Sequence, residues 1–192
     1  ALGRGATVSA AATNGIAQGD GASAQSANDV AIGRSAATAS GSSGSNIALG
    51  DGAVAGSGTA ANAIAIGKGA QATGVSSLSI GTGNKVSGAN SGAIGDPTTI
   101  TGAGSYSLGN NNTINANKAF VVGSNVTVAT GLDGSIVLGD GSTIAAPSGT
   151  GYATGAAAPA AQMSIGAAGT ERRITNLAAG SAATDAVNVS QL

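Results

Sequence analysis

The chain has 192 residues, including 34 glycines and three prolines but no cysteine or histidine, and its net charge at pH 7 is −1. Two tyrosines and one phenylalanine are the only aromatics, which excludes a bulky globular core, and the lack of cysteine excludes a disulfide scaffold or thiolate metal site. Near-neutral charge offers no basic surface to nucleic acid, and no run of about twenty apolar residues is present to span a bilayer.

From the N-terminus onward, a motif of large apolar, small, aliphatic and glycine residues returns every 14 to 17 residues. It reads Val30-Ala31-Ile32-Gly33, Ile47-Ala48-Leu49-Gly50, Ile64-Ala65-Ile66-Gly67, Leu78-Ser79-Ile80-Gly81, Tyr106-Ser107-Leu108-Gly109, Phe120-Val121-Val122-Gly123 and Ile136-Val137-Leu138-Gly139. The motif glycines run Gly3, Gly19, Gly33, Gly50, Gly67, Gly81, Gly95, Gly109, Gly123, Gly139 and Gly166, and only the last spacing, of 27, breaks the rule. A fixed period of this kind is the mark of a solenoid.

Alternation of two within the motif predicts a short strand. Five residues after each glycine a second apolar column appears in Val8, Val86, Ile100, Ile114, Val128 and Ile144, with smaller Ala24, Thr38, Ala55 and Ala72 between them. Each repeat therefore holds two strands. Asn28, Asn62 and Asn90 before the first strand, and Gly21, Gly52, Gly69 and Gly141 after it, mark corners at positive φ. Flattened coils stacked in parallel at about 4.8 Å would give eleven or twelve layers and a slab about 55 Å tall.

In this reading the large residues on either side of the motif's small position fill the core, so Ile66 and Leu108 are expected to be buried. The Ala, Ser and Gly between them then face outward, where close backbone approach suits a neighbouring subunit, and an oligomer is expected. Gln18 stands where ten other repeats carry an aliphatic residue, and it predicts a wet core in the second coil.

Of 15 charged residues, seven directly follow a motif glycine: Arg4, Asp20, Arg34, Asp51, Lys68, Asp96 and Asp140. The first five alternate in sign and predict a ladder of exposed pairs along one corner, each worth at most about 1 kcal/mol. A plain preference of turns for charged residues is the alternative.

After Gly139 the repeat falters, and Pro147 and Pro159 fall in this part. Residues 145–162 read as an irregular coil or loop, within which Tyr152-Ala153-Thr154-Gly155 is either a degenerate coil or part of a Gly/Ala/Pro loop. Met163-Ser164-Ile165-Gly166 restores the motif. The chain then divides into residues 1–168, the repeats, and 169–192, a different segment in which Thr184 or Asp185 is a good N-cap for a helix. The opening at Ala1-Leu2-Gly3 is mid-repeat and without a signal peptide, so the sequence reads as a piece of a longer protein.

Asn28-Asp29-Val30-Ala31-Ile32-Gly33 and its repeats, followed by Arg173-Ile174-Thr175-Asn176-Leu177-Ala178-Ala179-Gly180 and Thr184-Asp185-Ala186-Val187-Asn188-Val189-Ser190-Gln191-Leu192, resemble the head and neck of the YadA-like trimeric autotransporter adhesins of Gram-negative bacteria. The resemblance implies an all-β, left-handed parallel β-roll, three rolls about a threefold axis, and a neck leading into a helical coiled-coil stalk. It also implies an outer-membrane barrel anchor beyond this segment and a place on the cell surface. It puts Arg172, Arg173, Ile174, Asn176, Asp185, Val187 and Asn188 on the neck, the polar ones pairing between subunits and Ile174 and Val187 buried near the axis.

Other solenoid functions fit less well. Hexapeptide acyltransferases have longer triangular coils, and this chain has no histidine to act as general base. Gly-Asp-Gly at Asp20, Asp51 and Asp140 lacks the spacing of a calcium roll and reads as a turn. The Thr99, Thr113, Thr127 and Thr143 column is too interrupted for an ice-binding array, and Thr is an ordinary strand-surface residue. Apparent sequons at Asn111, Asn125 and Asn188 carry little weight in a bacterial protein. The sequence thus predicts no enzyme, no cofactor and no metal. It predicts a homotrimeric surface adhesin head for host matrix or cell-surface molecules, with ligand residues unassigned, or a structural spacer in a surface fibre.

Overall fold

The computed structural model describes residues 1–151 and 154–192. Its body is a parallel two-sheet solenoid. The longer sheet runs through Ile16–Gln18, Val30–Ile32, Ile47–Leu49, Ile64–Ile66, Leu78–Ile80, Gly92–Ile94, Tyr106–Leu108, Phe120–Val122, Ile136–Leu138 and Met163–Ser164, each paired in parallel with its successor. The shorter sheet runs from Thr7–Val8 to Thr127–Val128 in nine strands. Equivalent motif residues pair across coils, as in Leu78 with Ile64 on one side and Gly92 on the other, so the sequence repeat is also the strand register. Leu2 bridges to Gln18 as a further rung. Eight coils, those of Gly19 to Gly123, carry strands in both sheets, fewer than the eleven or twelve read from the glycines, because the first motif has a strand only in the shorter sheet and the Gly139 and Gly166 motifs have one only in the longer.

The two corners of each coil behave differently. From motif glycine to the inward residue of the shorter sheet the distance is five residues in every coil, from Gly3–Val8 to Gly139–Ile144. The motif glycines from Gly3 to Gly139 adopt φ between +98° and +155°. A Cβ built on any of Gly3 to Gly123 would lie 1.9 to 2.5 Å from the carbonyl oxygen of the next motif glycine, inside any tolerable contact. Glycine is obligatory here for both conformation and space.

Length variation is confined to the opposite corner. There the step to the next long-sheet strand is six residues from Ala24 to Val30, eight from Val8 to Ile16, nine from Thr38 to Ile47, and nineteen from Ile144 to Met163. Two residues before each strand this corner needs a left-handed conformation, supplied by Asn14, Asn28, Asn62 and Asn90 and, at more strain, by Ser45, Ser76 and Lys118. The expected Asn and Gly corners therefore have the positive φ that the composition required. Within the 145–162 insertion Thr150 bridges to Ala157, and at its base Gln162 Nε2 donates to the Ala145 carbonyl. The degenerate-coil reading falls partly on Tyr152 and Ala153, which lie outside the described residues.

The strand faces are reversed from the sequence reading. The small middle residue of each long-sheet strand points into the roll: Ala17, Ala31, Ala48, Ala65, Ser79, Ala93, Ser107, Val121 and Val137 are all buried. The large flanking residues point outward, with Ile66 half-buried and Leu108 43% exposed in the single chain. The cause is the width of the roll. A corner of fixed length holds the sheets close, and the inward column of the shorter sheet takes most of the space. Where that column is Val86, Ile100 or Ile114, the long-sheet residues of the same coils, Ser79, Ala93 and Ser107, stay small. The first five coils have an almost all-alanine interior, and the later ones are filled by Val86, Ile100, Ile114, Val126 and Val128. Gln18 consequently sits on the outer face and leaves the core of the second coil dry.

Polar groups inside the roll serve its corners. Asp29 is fully buried, and its carboxylate accepts the Asn46 amide at 2.9 Å and the Ser26 amide at 2.8 Å. One coil on, Asn46 Oδ1 accepts the Ala63 amide at 3.1 Å, while its Nδ2 donates to Ser42 Oγ. Ser91 and Ser105 repeat the device for the amides of Ser105 and Ala119. The buried backbone amides of Asn46, Ala63, Ser105 and Ala119 are thereby satisfied from the preceding coil.

Candidate functional site

The outward face of the longer sheet is the dominant feature of the surface. Successive strands stack their flanking residues into two columns, Ile16, Val30, Ile47, Ile64 and Leu78 in one, and Ile32, Leu49, Ile66, Ile80, Ile94 and Leu108 in the other. Tyr106, Phe120 and Ile136 continue the first column, and they are 43%, 43% and 39% exposed. At Gly92 the column is notched. The Tyr106 ring leans into the space, and a Cβ there would lie 2.7 Å from Tyr106 Cε1. A strip this long and this apolar, with side chains only partly covered by their own chain, has the character of an interface between subunits.

The corner column that follows the motif glycines carries the charges. Arg4 Nε lies 3.5 Å from Asp20, and Arg34 Nη2 donates to Asp51 at 2.7 Å, both at the surface. These are two separate pairs; among the described residues no ion pair joins Asp20 to Arg34 or Asp51 to Lys68. In later coils the same position works through the backbone. Asp96 accepts the Thr82 amide, Asn110 accepts that of Asp96 at 2.8 Å, and Ser124 accepts that of Asn110 at 3.1 Å.

At the end of the roll Arg172 folds back onto the last corner. Its guanidinium donates to Ser142 Oγ and the Ile165 carbonyl, both at 2.9 Å, and to the Asp140 carbonyl at 2.7 Å. Arg172 thus bonds within its own chain. Nothing in the spacing of the sequence pointed to this, because two of its three partners, Ser142 and Asp140, lie 30 and 32 residues upstream, across the insertion.

Beyond it, residues 177–180 lie against 188–191. Gln191 spans Gly180, donating to its carbonyl at 2.9 Å and accepting its amide at 2.8 Å, and Asn188 Nδ2 donates to the Leu177 carbonyl at 3.1 Å. Asp185 accepts the amides of Ala182 and Ser181, which hold its carboxyl below the ordinary aspartate range. Backbone hydrogen bonding at Glu171 and Gly169 does the same for Glu171. Asn176 takes a left-handed conformation, and Arg173 makes no side-chain hydrogen bond to any described residue. The helical part is a 3₁₀ turn, Val189–Gln191, capped by Asn188 rather than by Thr184 or Asp185. Ile174 and Val187 are 59% and 60% exposed and line, with Leu177 and Val189, a groove of about 520 Å³.

For chemistry the surface offers little. Among the described residues no group of three or more His, Cys, Asp or Glu is close enough to hold a metal ion. Among the described residues no helix is long and apolar enough to cross a membrane.

The architecture is thus a thin parallel β-roll with one apolar sheet face and an extended C-terminal segment. Its fold is that of the collagen-binding domain of the Yersinia adhesin YadA, which aligns over 92% of this chain and 83% of its own length at 22% identity, with a TM-score of 0.51. Residues 173–192 match the family described as the coiled stalk of trimeric autotransporter adhesin. The C-terminal YadA-like domain of a Burkholderia pseudomallei protein is similar over 53% of this chain and 45% of its own, at 28% identity and a TM-score of 0.32. No curated protein matches the chain. Roll and stalk segment together support the YadA-like resemblance that the sequence carries.

Proposed function

We infer that the chain is the head and neck of a trimeric surface adhesin, with three rolls packed through the outward face of the longer sheet. The observation that carries this reading is the double apolar column from Ile16 to Leu138, notched at Gly92, which a single chain leaves half open to water. Burying such side chains is worth about 1.5 to 3 kcal/mol each when complete, so a contact repeated over many coils favours assembly strongly. The exposed Ile174, Leu177 and Val187 would be covered in the same assembly by the necks of the other two chains. Arg173, Asn176, Asp185 and Asn188 are then placed to meet those chains, and Arg172 ties each neck to its own roll. The Arg4–Asp20 and Arg34–Asp51 pairs have a structural role, each keeping two neighbouring coils in step at one corner. This function is non-enzymatic and needs no cofactor, nucleic acid or membrane contact by this segment. The whole protein would be held at the surface of a Gram-negative bacterium by an outer-membrane barrel.

With the longer sheet committed to the trimer, the ligand meets the shorter sheet and the loops of the variable corner. Host matrix or cell-surface molecules are the ligand class, and collagen is the first probe because the Yersinia domain of the same fold binds it. Repetition suits this, since three chains of similar coils turn weak contacts into avidity. A spacer without its own ligand is the second reading. It is favoured by the absence of any aromatic side chain on the shorter sheet's strands, since Tyr106 and Phe120 lie on the other face. Immobilised collagen and intact host cells separate the two. Saturable binding by the assembled head supports the adhesin, and no binding to either surface leaves the spacer.

A further inference from the structure

The 145–162 insertion contains Ala157-Ala158-Pro159-Ala160-Ala161, and every one of these residues is exposed. We propose that the Ala160–Ala161 bond is a cleavage site for serine endopeptidases with a small apolar specificity pocket, the elastase type. Such enzymes bind substrate as an extended strand and select the residue before the cut by a pocket that admits alanine and excludes large or charged side chains. Pro159 fixes its own φ near the extended range and pushes Ala158 out of the helical region, so the stretch is already close to the bound shape.

Conformation distinguishes this stretch from the other alanine-rich corners. Ala12 and Ala60 donate to Ser9 and Ser57 in tight turns, at 2.9 and 3.0 Å, and must open before a protease can bind them. The amides of Ala160 and Ala161 donate to no described residue. Within the roll the backbone is locked into two sheets, and the exposed Ala178, Ala179 and Ala183 lie in the neck, which the assembly proposed above covers, so the choice of the insertion rests on that reading. In the cut, the protease serine attacks the Ala160 carbonyl carbon and the Ala161 amine departs with a proton. Water then hydrolyses the acyl-enzyme, leaving a carboxylate on Ala160.

The nicked chain stays together under native conditions. Met163 and Ser164 still pair with Ile136 and Val137, the Thr143 amide still donates to the Gly166 carbonyl at 3.0 Å, and Arg172 still reaches Asp140. Cleavage therefore turns the covalent joint between roll and neck into one held only by these contacts.

The test is limited digestion of the native chain with pancreatic elastase, read by mass spectrometry, beside the Ala160→Asp variant and a urea-denatured control. The expected result is a first cut giving residues 1–160 and 161–192 that co-elute in native buffer, with the variant cut at this bond at least about tenfold more slowly. A first cut at another bond, equal rates for the variant, or a native chain resistant at protease levels that cut this bond in the denatured control would each overturn the proposal. Separation of the two fragments in native buffer would overturn the claim that they stay joined.

Discussion

The guanidinium of Arg172 lies over Gly139, and a Cβ on that glycine would come within 2.7 Å of Arg172 Cζ. In every earlier coil the same place is filled by the backbone of the next motif glycine, so Arg172 closes the stack where the coils end. Arg172→Ala should leave the roll folded but free the joint between roll and neck, at a local cost of about 1 to 3 kcal/mol for three charge-assisted hydrogen bonds that are partly open to solvent. Hydrogen exchange would show it as faster exchange at the Ser142 and Thr143 amides. Lys should not rescue, because it cannot present the same planar fork to three acceptors.

Motif glycines should tolerate nothing else. Gly67→Ala places a Cβ 2.2 Å from the Gly81 carbonyl oxygen at φ +128°, and it should cost more than about 3 kcal/mol. Gly58→Ala, at φ +55° with open space around it, should cost about 1 kcal/mol. Chemical denaturation of the two variants makes the comparison, and equal losses would refute the close-contact argument.

Asp29 uses both carboxylate oxygens as acceptors, toward Asn46 and Ser26. Asp29→Asn would turn one of them into an amide donor facing a backbone donor, and should destabilise the roll by about 1 to 3 kcal/mol although the volume is unchanged. Asn46→Asp should be less costly at the amide of Ala63, which needs only one acceptor, yet it loses the bond to Ser42. Thermal melts of both variants test the order.

Most of the coil was legible in the sequence, and the direction of its faces was not. Alternation of two says that Ala65 and Ile66 lie on opposite faces, but it does not say which face is inside. The usual rule, bulky inward, fails because the roll is too narrow for an isoleucine such as Ile66 opposite the inward column of the shorter sheet; where both sheets contribute branched residues, as at Val121 and Val128, these are valines. Corner glycines and asparagines were readable because backbone conformation alone selects them. The Arg172 closure was not, since it depends on where a nineteen-residue step returns the chain.

Acid should loosen the Ser181–Asp185 turn of the neck. The Asp185 carboxyl is held low by the Ala182 and Ser181 amides. A carboxylate depressed in the folded state stabilises above its unfolded value and loses that contribution as pH falls through the folded one. Order in residues 181–185, followed by amide NMR shifts, should therefore be constant at neutral pH and fade only below about pH 4. Asp185→Asn should remove that pH dependence.

The central claim is that the outward face of the longer sheet joins three chains, and the solution mass of the chain by light scattering tests it most directly. The account predicts the mass of three chains, and a fall to one chain for Leu108→Asp with the strand content of the roll retained in circular dichroism. A stable monomer for the unmodified chain, or a Leu108→Asp chain that unfolds as a buried charge would make it, would contradict it.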